Sequence, residues 1–163
     1  MFQKPYLNFI FSLAVVLITY LLCGWFNRVG MQNFYADIQK STLTPPNYVF
    51  PIVWTILYVL MILAFDLILN IHDKNIKPAV TVFLINLAMQ IVWTYAFFYQ
   101  ARFLAGLIII VLLIITALCL LYSFWHLSKT ATYLMIPYIL WLLFAAYLNW
   151  AVVSLNGASY ILP

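Results

Sequence analysis

Acidic side chains are almost missing from this chain. Its 163 residues include no Glu and three Asp (Asp37, Asp66 and Asp73) against seven Lys and Arg, and only 6% are charged. A soluble domain carries about 25% charged residues, so these few cannot keep the surface in water, and a soluble enzyme is excluded. The basic residues are scattered, with no run of the kind nucleic acid requires. Four Gly leave no material for a phosphate-cradling loop. Cys23 and Cys119 both lie inside apolar runs, which argues against a disulfide or a metal site. His72 and His126 stand alone in loops, without a second ligand at metal spacing, so no metal or haem cofactor is expected. Ser/His/Asp and Cys/His arrangements are lacking, and no catalytic residue is assigned. Leu21-Leu22-Cys23-Gly24 has bulky Leu22 where lipoprotein processing needs a small residue. No cleavage site follows the first apolar run, which reads as a retained helix.

What the chain has is hydrocarbon: 68% of residues are hydrophobic and 19% aromatic, including six Trp and twelve Tyr. A bilayer core about 30 Å thick needs about 20 apolar residues per helix. Five runs meet that length, at residues 7–25, 47–69, 79–98, 103–124 and 133–154. Runs of this length in lipid must be helices, because their backbone polar groups have to be satisfied within the segment. The expected fold is all-α, an integral membrane bundle of five transmembrane helices forming a single domain over 1–163. Pro51 and Pro137 fall near helix starts, where a missing N–H costs little. The first connection, 26–46, is far longer than the others, and Phe34, Tyr35, Ile38 and Leu43 give it apolar contacts to make. Loops of that length are often functional lids, the alternative being a plain flexible connector.

Three helices carry stripes that mix aromatics with small or amide residues. Trp54, Tyr58 and Phe65 share a face of the second. Asn86, Gln90, Thr94 and Phe97, with Trp93 beside them, run along the third, and Tyr138, Trp141, Ala145, Asn149 and Val152 along the fifth. Amides are costly in hydrocarbon and should face the bundle interior. They serve either as interhelical glue or as the orienting groups of an aromatic-walled ligand pocket. At about 1.5 Å rise per residue, Trp54 lies about 10 Å, Gln90 about 12 Å and Asn149 about 8 Å below the first-loop face. A pocket there would open toward the lid and accept a flat, largely apolar ligand. Arg28, Lys40 and Arg102 lie on the same side, as interfacial anchors or as partners for carboxylates at the rim. Asp66, about one turn from its helix end, reads as a snorkelling side chain.

Three stretches resemble one family, the tryptophan-rich sensory proteins, whose animal members are called translocator protein or peripheral benzodiazepine receptor. Leu43-Thr44-Pro45-Pro46-Asn47-Tyr48-Val49-Phe50-Pro51-Ile52-Val53-Trp54-Thr55-Ile56-Leu57-Tyr58 resembles W-T-P-P-x-W-V-F-G-P-V-W-T-x-L-Y. Gln90-Ile91-Val92-Trp93 with Phe97-Phe98 resembles N-x-x-W-S-x-x-F-F. Residues 137–149 are similar to P-Y-x-x-W-x-x-F-A-x-x-L-N, the most specific of the three. Leu43 and Tyr48 replace two family Trp, Gln90 replaces an Asn, and Pro51 is one residue early. Tyr95 stands where many members have Pro, which leads to the expectation of a straighter third helix.

The resemblance implies a membrane protein, usually a homodimer, that binds porphyrins, sterols and benzodiazepine-type or isoquinoline-type ligands beneath the first loop. Trp54, Gln90, Trp93, Trp141, Ala145 and Asn149 would then line the pocket, and Tyr35, Pro45 and Pro46 would sit in the lid. The sterol motif of the animal last helix needs a basic residue that is lacking here after Asn149-Trp150. No GxxxG marks a dimer face; Ala101 and Ala105 give one small-xxx-small pair. The reading that results is a receptor or carrier for protoporphyrin IX and similar flat molecules, acting in tetrapyrrole sensing or transport. The alternatives are light-dependent porphyrin degradation and a non-binding assembly subunit of a membrane complex. The richness in Ile, Asn, Lys and Tyr fits a bacterial cell membrane.

Overall fold

A computed structural model of the chain describes residues 4–71 and 76–159. The second-loop residues His72, Asp73 and Lys74 therefore lie outside the described residues. Five helices, α1 (Pro5–Asn33), α2 (Val49–Leu69), α3 (Ile76–Thr94), α4 (Phe103–Leu127) and α5 (Lys129–Asn156), make up the bundle. Each is long and apolar enough to cross a membrane, α3 together with the turn that follows it. Around the bundle the neighbours run α1, α2, α5, α4, α3 and back to α1. Leu21, Ile56, Ile108, Leu112 and Leu140 face outward, as a lipid-facing surface requires.

The first helix is longer than its apolar run. Asn27, Arg28, Gln32 and Asn33 end the run but not the helix, which continues through Asn33 for 29 residues. At about 43 Å it outreaches the hydrocarbon core, about 30 Å thick. The connection expected at 26–46 is thereby corrected to 34–48. Gly30 makes the extension possible, because a Cβ there would lie 2.5 Å from the Phe98 carbonyl oxygen.

The shortened loop is tied down over its first half. Phe34, Tyr35 and Ile38 are buried; the Phe34 ring meets Phe103 at 5.6 Å and Tyr35 meets Phe98 at 5.7 Å. Gln39 and Asn156 at the end of α5 exchange two hydrogen bonds: the Gln39 N–H donates to Asn156 Oδ1, and Asn156 Nδ2 donates to the Gln39 carbonyl, each at 2.8 Å. Ser41 Oγ lies 3.0 Å from the Tyr147 hydroxyl. Beyond Ser41, Thr42, Leu43, Pro46, Asn47 and Tyr48 are exposed.

Tyr95, expected to leave the third helix straighter, is where its winding changes. The helix passes into a π-helical turn, Tyr95–Tyr99, followed by Ala101 at φ 52° and the sharp bend into α4. Ala96, Phe97 and Phe98 are all buried. Consecutive residues on an α-helix point about 100° apart and cannot share one face; the extra residue in a π turn relaxes that constraint. The fifth helix begins four residues before its expected start, where Ser128 caps it by accepting from the Ala131 N–H at 3.2 Å. Pro137 consequently lies inside the helix rather than near its first turn.

Away from the loop the bundle is solid. Phe65 stacks on Phe83 at 4.0 Å, and Phe83 on Phe124 at 6.3 Å, with Met61, Ile68, Leu113 and Leu120 fully enclosed around them. Asn86 ties three helices together here. Its Nδ2 donates to the Leu113 carbonyl (3.2 Å) and to Thr116 Oγ1 (2.9 Å), and its Oδ1 accepts from the Tyr138 hydroxyl at 2.7 Å.

Candidate ligand pocket

The loop half of the bundle is hollow. A cavity of about 360 Å³ lies between α1, α2 and α3 beneath Tyr35, within the size range of small-molecule sites. From α2 come Phe50, Pro51, Trp54 and Tyr58, and from α3 Gln90, Trp93 and Thr94. A second lobe of about 40 Å³ lies toward α5, against Trp141, Ala145, Leu148, Asn149 and Val152. Trp54 and Trp93 line both spaces. Their indoles stand 6.5 Å apart at 38°, a thin partition between the two.

Hydrogen bonds fix the walls. The Tyr58 hydroxyl donates to Gln90 Oε1 at 2.9 Å, which orients the amide. Gln90 Nε2 is then left buried with no partner. Trp93 Nε1 donates to Asn149 Oδ1 at 3.2 Å, and Asn149 Nδ2 donates to the Phe103 carbonyl at 3.0 Å. Trp141 Nε1 is buried and unpaired. A buried donor without an acceptor costs about 1–3 kcal/mol, and a bound molecule carrying an acceptor would remove that cost. At the mouth, burial pushes the Tyr35 phenol above its ordinary pKa, so it stays a neutral donor at physiological pH. The Lys40 ammonium lies 4.8 Å from the centre of the Tyr35 ring.

Of the residues singled out by sequence, Trp54, Tyr58, Gln90 and Trp93 wall the main cavity, and Phe97, Trp141, Ala145 and Asn149 the smaller lobe. Tyr35 lines both, whereas Pro45 and Pro46 line neither, and the loop contributes Thr44 and Asn47 instead. Asn86 and Tyr138 are not among the lining residues. Asn86 is one turn deeper, with its amide engaged by α4 and α5, and the Tyr138 hydroxyl donates to it. The Tyr138 ring still meets Trp54 at 6.5 Å.

The wall that sequence reasoning missed is α1. It supplies Tyr20, Cys23, Gly24, Asn27, Arg28 and Met31. These residues recur at helical spacing and form a stripe of small and polar side chains, a signal overshadowed by the Trp-bearing helices. Tyr20 closes the bottom, edge-on to Tyr58 at 5.4 Å and with its hydroxyl 3.3 Å from Thr55 Oγ1. Above it α1 and α2 part: a Cβ on Gly24 would have nothing within 4 Å. Among the described residues, no three His, Cys, Asp or Glu side chains gather as metal ligands would.

Five spans around a cavity of ligand size define a multi-pass integral membrane protein with a hollow half. The model of the TspO/MBR family matches residues 11–155, and the chain belongs to that family. It is 37% identical over 125 residues to the "Tryptophan-rich protein TspO" of Chlorobaculum tepidum, covering 76% of this chain and 79% of the relative. The protein of the same name from Archaeoglobus fulgidus is 32% identical over 158 residues, covering 93% and 98%. The "Tryptophan-rich sensory protein" of Cereibacter sphaeroides is 29% identical over 124 residues, covering 76% and 77%.

Proposed function

We propose that this protein is a membrane receptor or carrier that binds porphyrins and similar flat apolar molecules in the cavity beneath the first loop, in tetrapyrrole sensing or transport. The observation that carries the reading is the aromatic-walled space of about 360 Å³ beneath Tyr35, lined by Trp54, Tyr58 and Trp93 with the Gln90 amide among them. An apolar, aromatic-lined hollow of this size with an amide among its walls is what a site for a flat guest needs. A macrocycle would stack on the Trp54 and Trp93 indoles, with the smaller lobe accepting a substituent beside Trp141. Residence in a bacterial cell membrane and assembly as a homodimer belong to the same proposal.

Titration with protoporphyrin IX tests it. Binding quenches tryptophan fluorescence and raises the thermal midpoint, since a ligand stabilises the state it binds. Trp54→Ala/Trp141→Ala weakens both effects. Equal quenching by the wild type and the double variant, or an unmoved midpoint, rejects the proposal in favour of an assembly subunit.

A further inference from the structure

The mouth of the cavity differs chemically from its interior. Below it the walls are Trp54, Trp93, Phe98 and Tyr58, with a single amide donor in Gln90. At the mouth stand Asn27, Arg28 and Asn47. Three basic residues lie on this side of the membrane, and the structure separates them. Lys40 is engaged, donating to the Tyr35 carbonyl and lying over its ring. Arg102 stands at the N-cap position of α4 with no side-chain capping hydrogen bond and is not among the residues lining either space. Arg28 alone of the three faces the cavity, and among the described residues no hydrogen bond or ion pair engages its guanidinium.

Its depth is informative. Arg28 is five residues from the end of α1, about 8 Å down the helix axis. That places it at headgroup level on a helix longer than the hydrocarbon is thick. Tyr20, which closes the bottom, is eight residues deeper, about 12 Å away. The space is thus an apolar shaft about 12 Å long, with a forked cation at its outer end and open space beside Gly24 between α1 and α2.

We propose that Arg28 is the specificity-determining residue for an amphipathic carboxylate. The ligand's flat body lies in the shaft toward Gln90, and its acid group meets the guanidinium at the mouth. Guanidinium and carboxylate pair through two parallel hydrogen bonds, a geometry that an ammonium cannot reproduce. The inference rests on the receptor reading above and adds to it the charge, the polarity and the orientation of the bound molecule.

The test compares protoporphyrin IX, which carries two carboxylates, with its dimethyl ester, in wild type, Arg28→Gln and Arg28→Lys reconstituted in zwitterionic nanodiscs. The wild type should bind the acid about tenfold more tightly than the ester, with an advantage that shrinks as salt rises. Arg28→Gln should bind both equally, at the wild-type ester affinity, and Arg28→Lys should fall between. The same acid-to-ester ratio in wild type and Arg28→Gln overturns the inference and leaves the receptor reading standing. Loss of both ligands alike in Arg28→Gln also overturns it, Arg28 then serving only to seat α1 at the interface. If the wild type binds neither compound, the receptor reading falls and this inference with it.

Discussion

The two halves of the bundle use the same residue types for opposite ends. In the half away from the loop, Phe65, Phe83 and Phe124 stack without a gap, and the donors and the oxygen of the Asn86 amide are all engaged. In the loop half, Trp54 and Trp93 flank empty space, and both Gln90 Nε2 and Trp141 Nε1 lack acceptors. What separates glue from pocket is therefore not the presence of amides and aromatics but whether neighbouring helices close around them, as around Asn86, or stand apart, as beside Trp54.

The contrast can be broken most severely in the solid half. Phe83→Ala should cost about 3–5 kcal/mol, read as a fall in the thermal midpoint in detergent. Trp54→Ala, beside existing space, should cost clearly less while removing porphyrin quenching. Asn86→Leu comes next: it strands the Tyr138 hydroxyl and should destabilise by about 1–3 kcal/mol without changing ligand selectivity. Gly30→Ala forces a methyl against the Phe98 backbone. Its expected cost is about 1–3 kcal/mol, with weaker porphyrin binding because the π turn is displaced; unchanged affinity would show that the turn does not shape the cavity. Tyr58→Phe/Gln90→Leu removes a donor–acceptor pair together and should leave stability within about 1 kcal/mol, while affinity for carbonyl-bearing flat ligands drops. The smallest effect belongs to Gly24→Ala, which meets no neighbour and should raise stability by about 0.5–1 kcal/mol through helix propensity alone.

The five spans were legible because hydrocarbon thickness dictates run length, and runs of that length admit only helix. The ends were not. Asn27 to Asn33 contain polar residues that end an apolar run without ending a helix, so α1 was read too short and its wall of the cavity was overlooked. The π turn had no local signal, since Tyr95 is compatible with an ordinary helix and the winding answers to the burial of Ala96, Phe97 and Phe98 by tertiary contacts. Asn86 and Gln90 are four residues apart on one stripe and look alike in sequence. Only what faces them, Leu113 and Thr116 for one and Tyr58 at the cavity wall for the other, tells them apart.

The missing methyl of Gly30 has a mechanical corollary. With no side chain between them, the upper end of α1 and the π turn act as a single lintel. The helix stretch that carries Asn27, Arg28 and Met31 thus rests directly on the turn that carries Phe97 and Phe98, and the two sides of the doorway meet backbone to backbone.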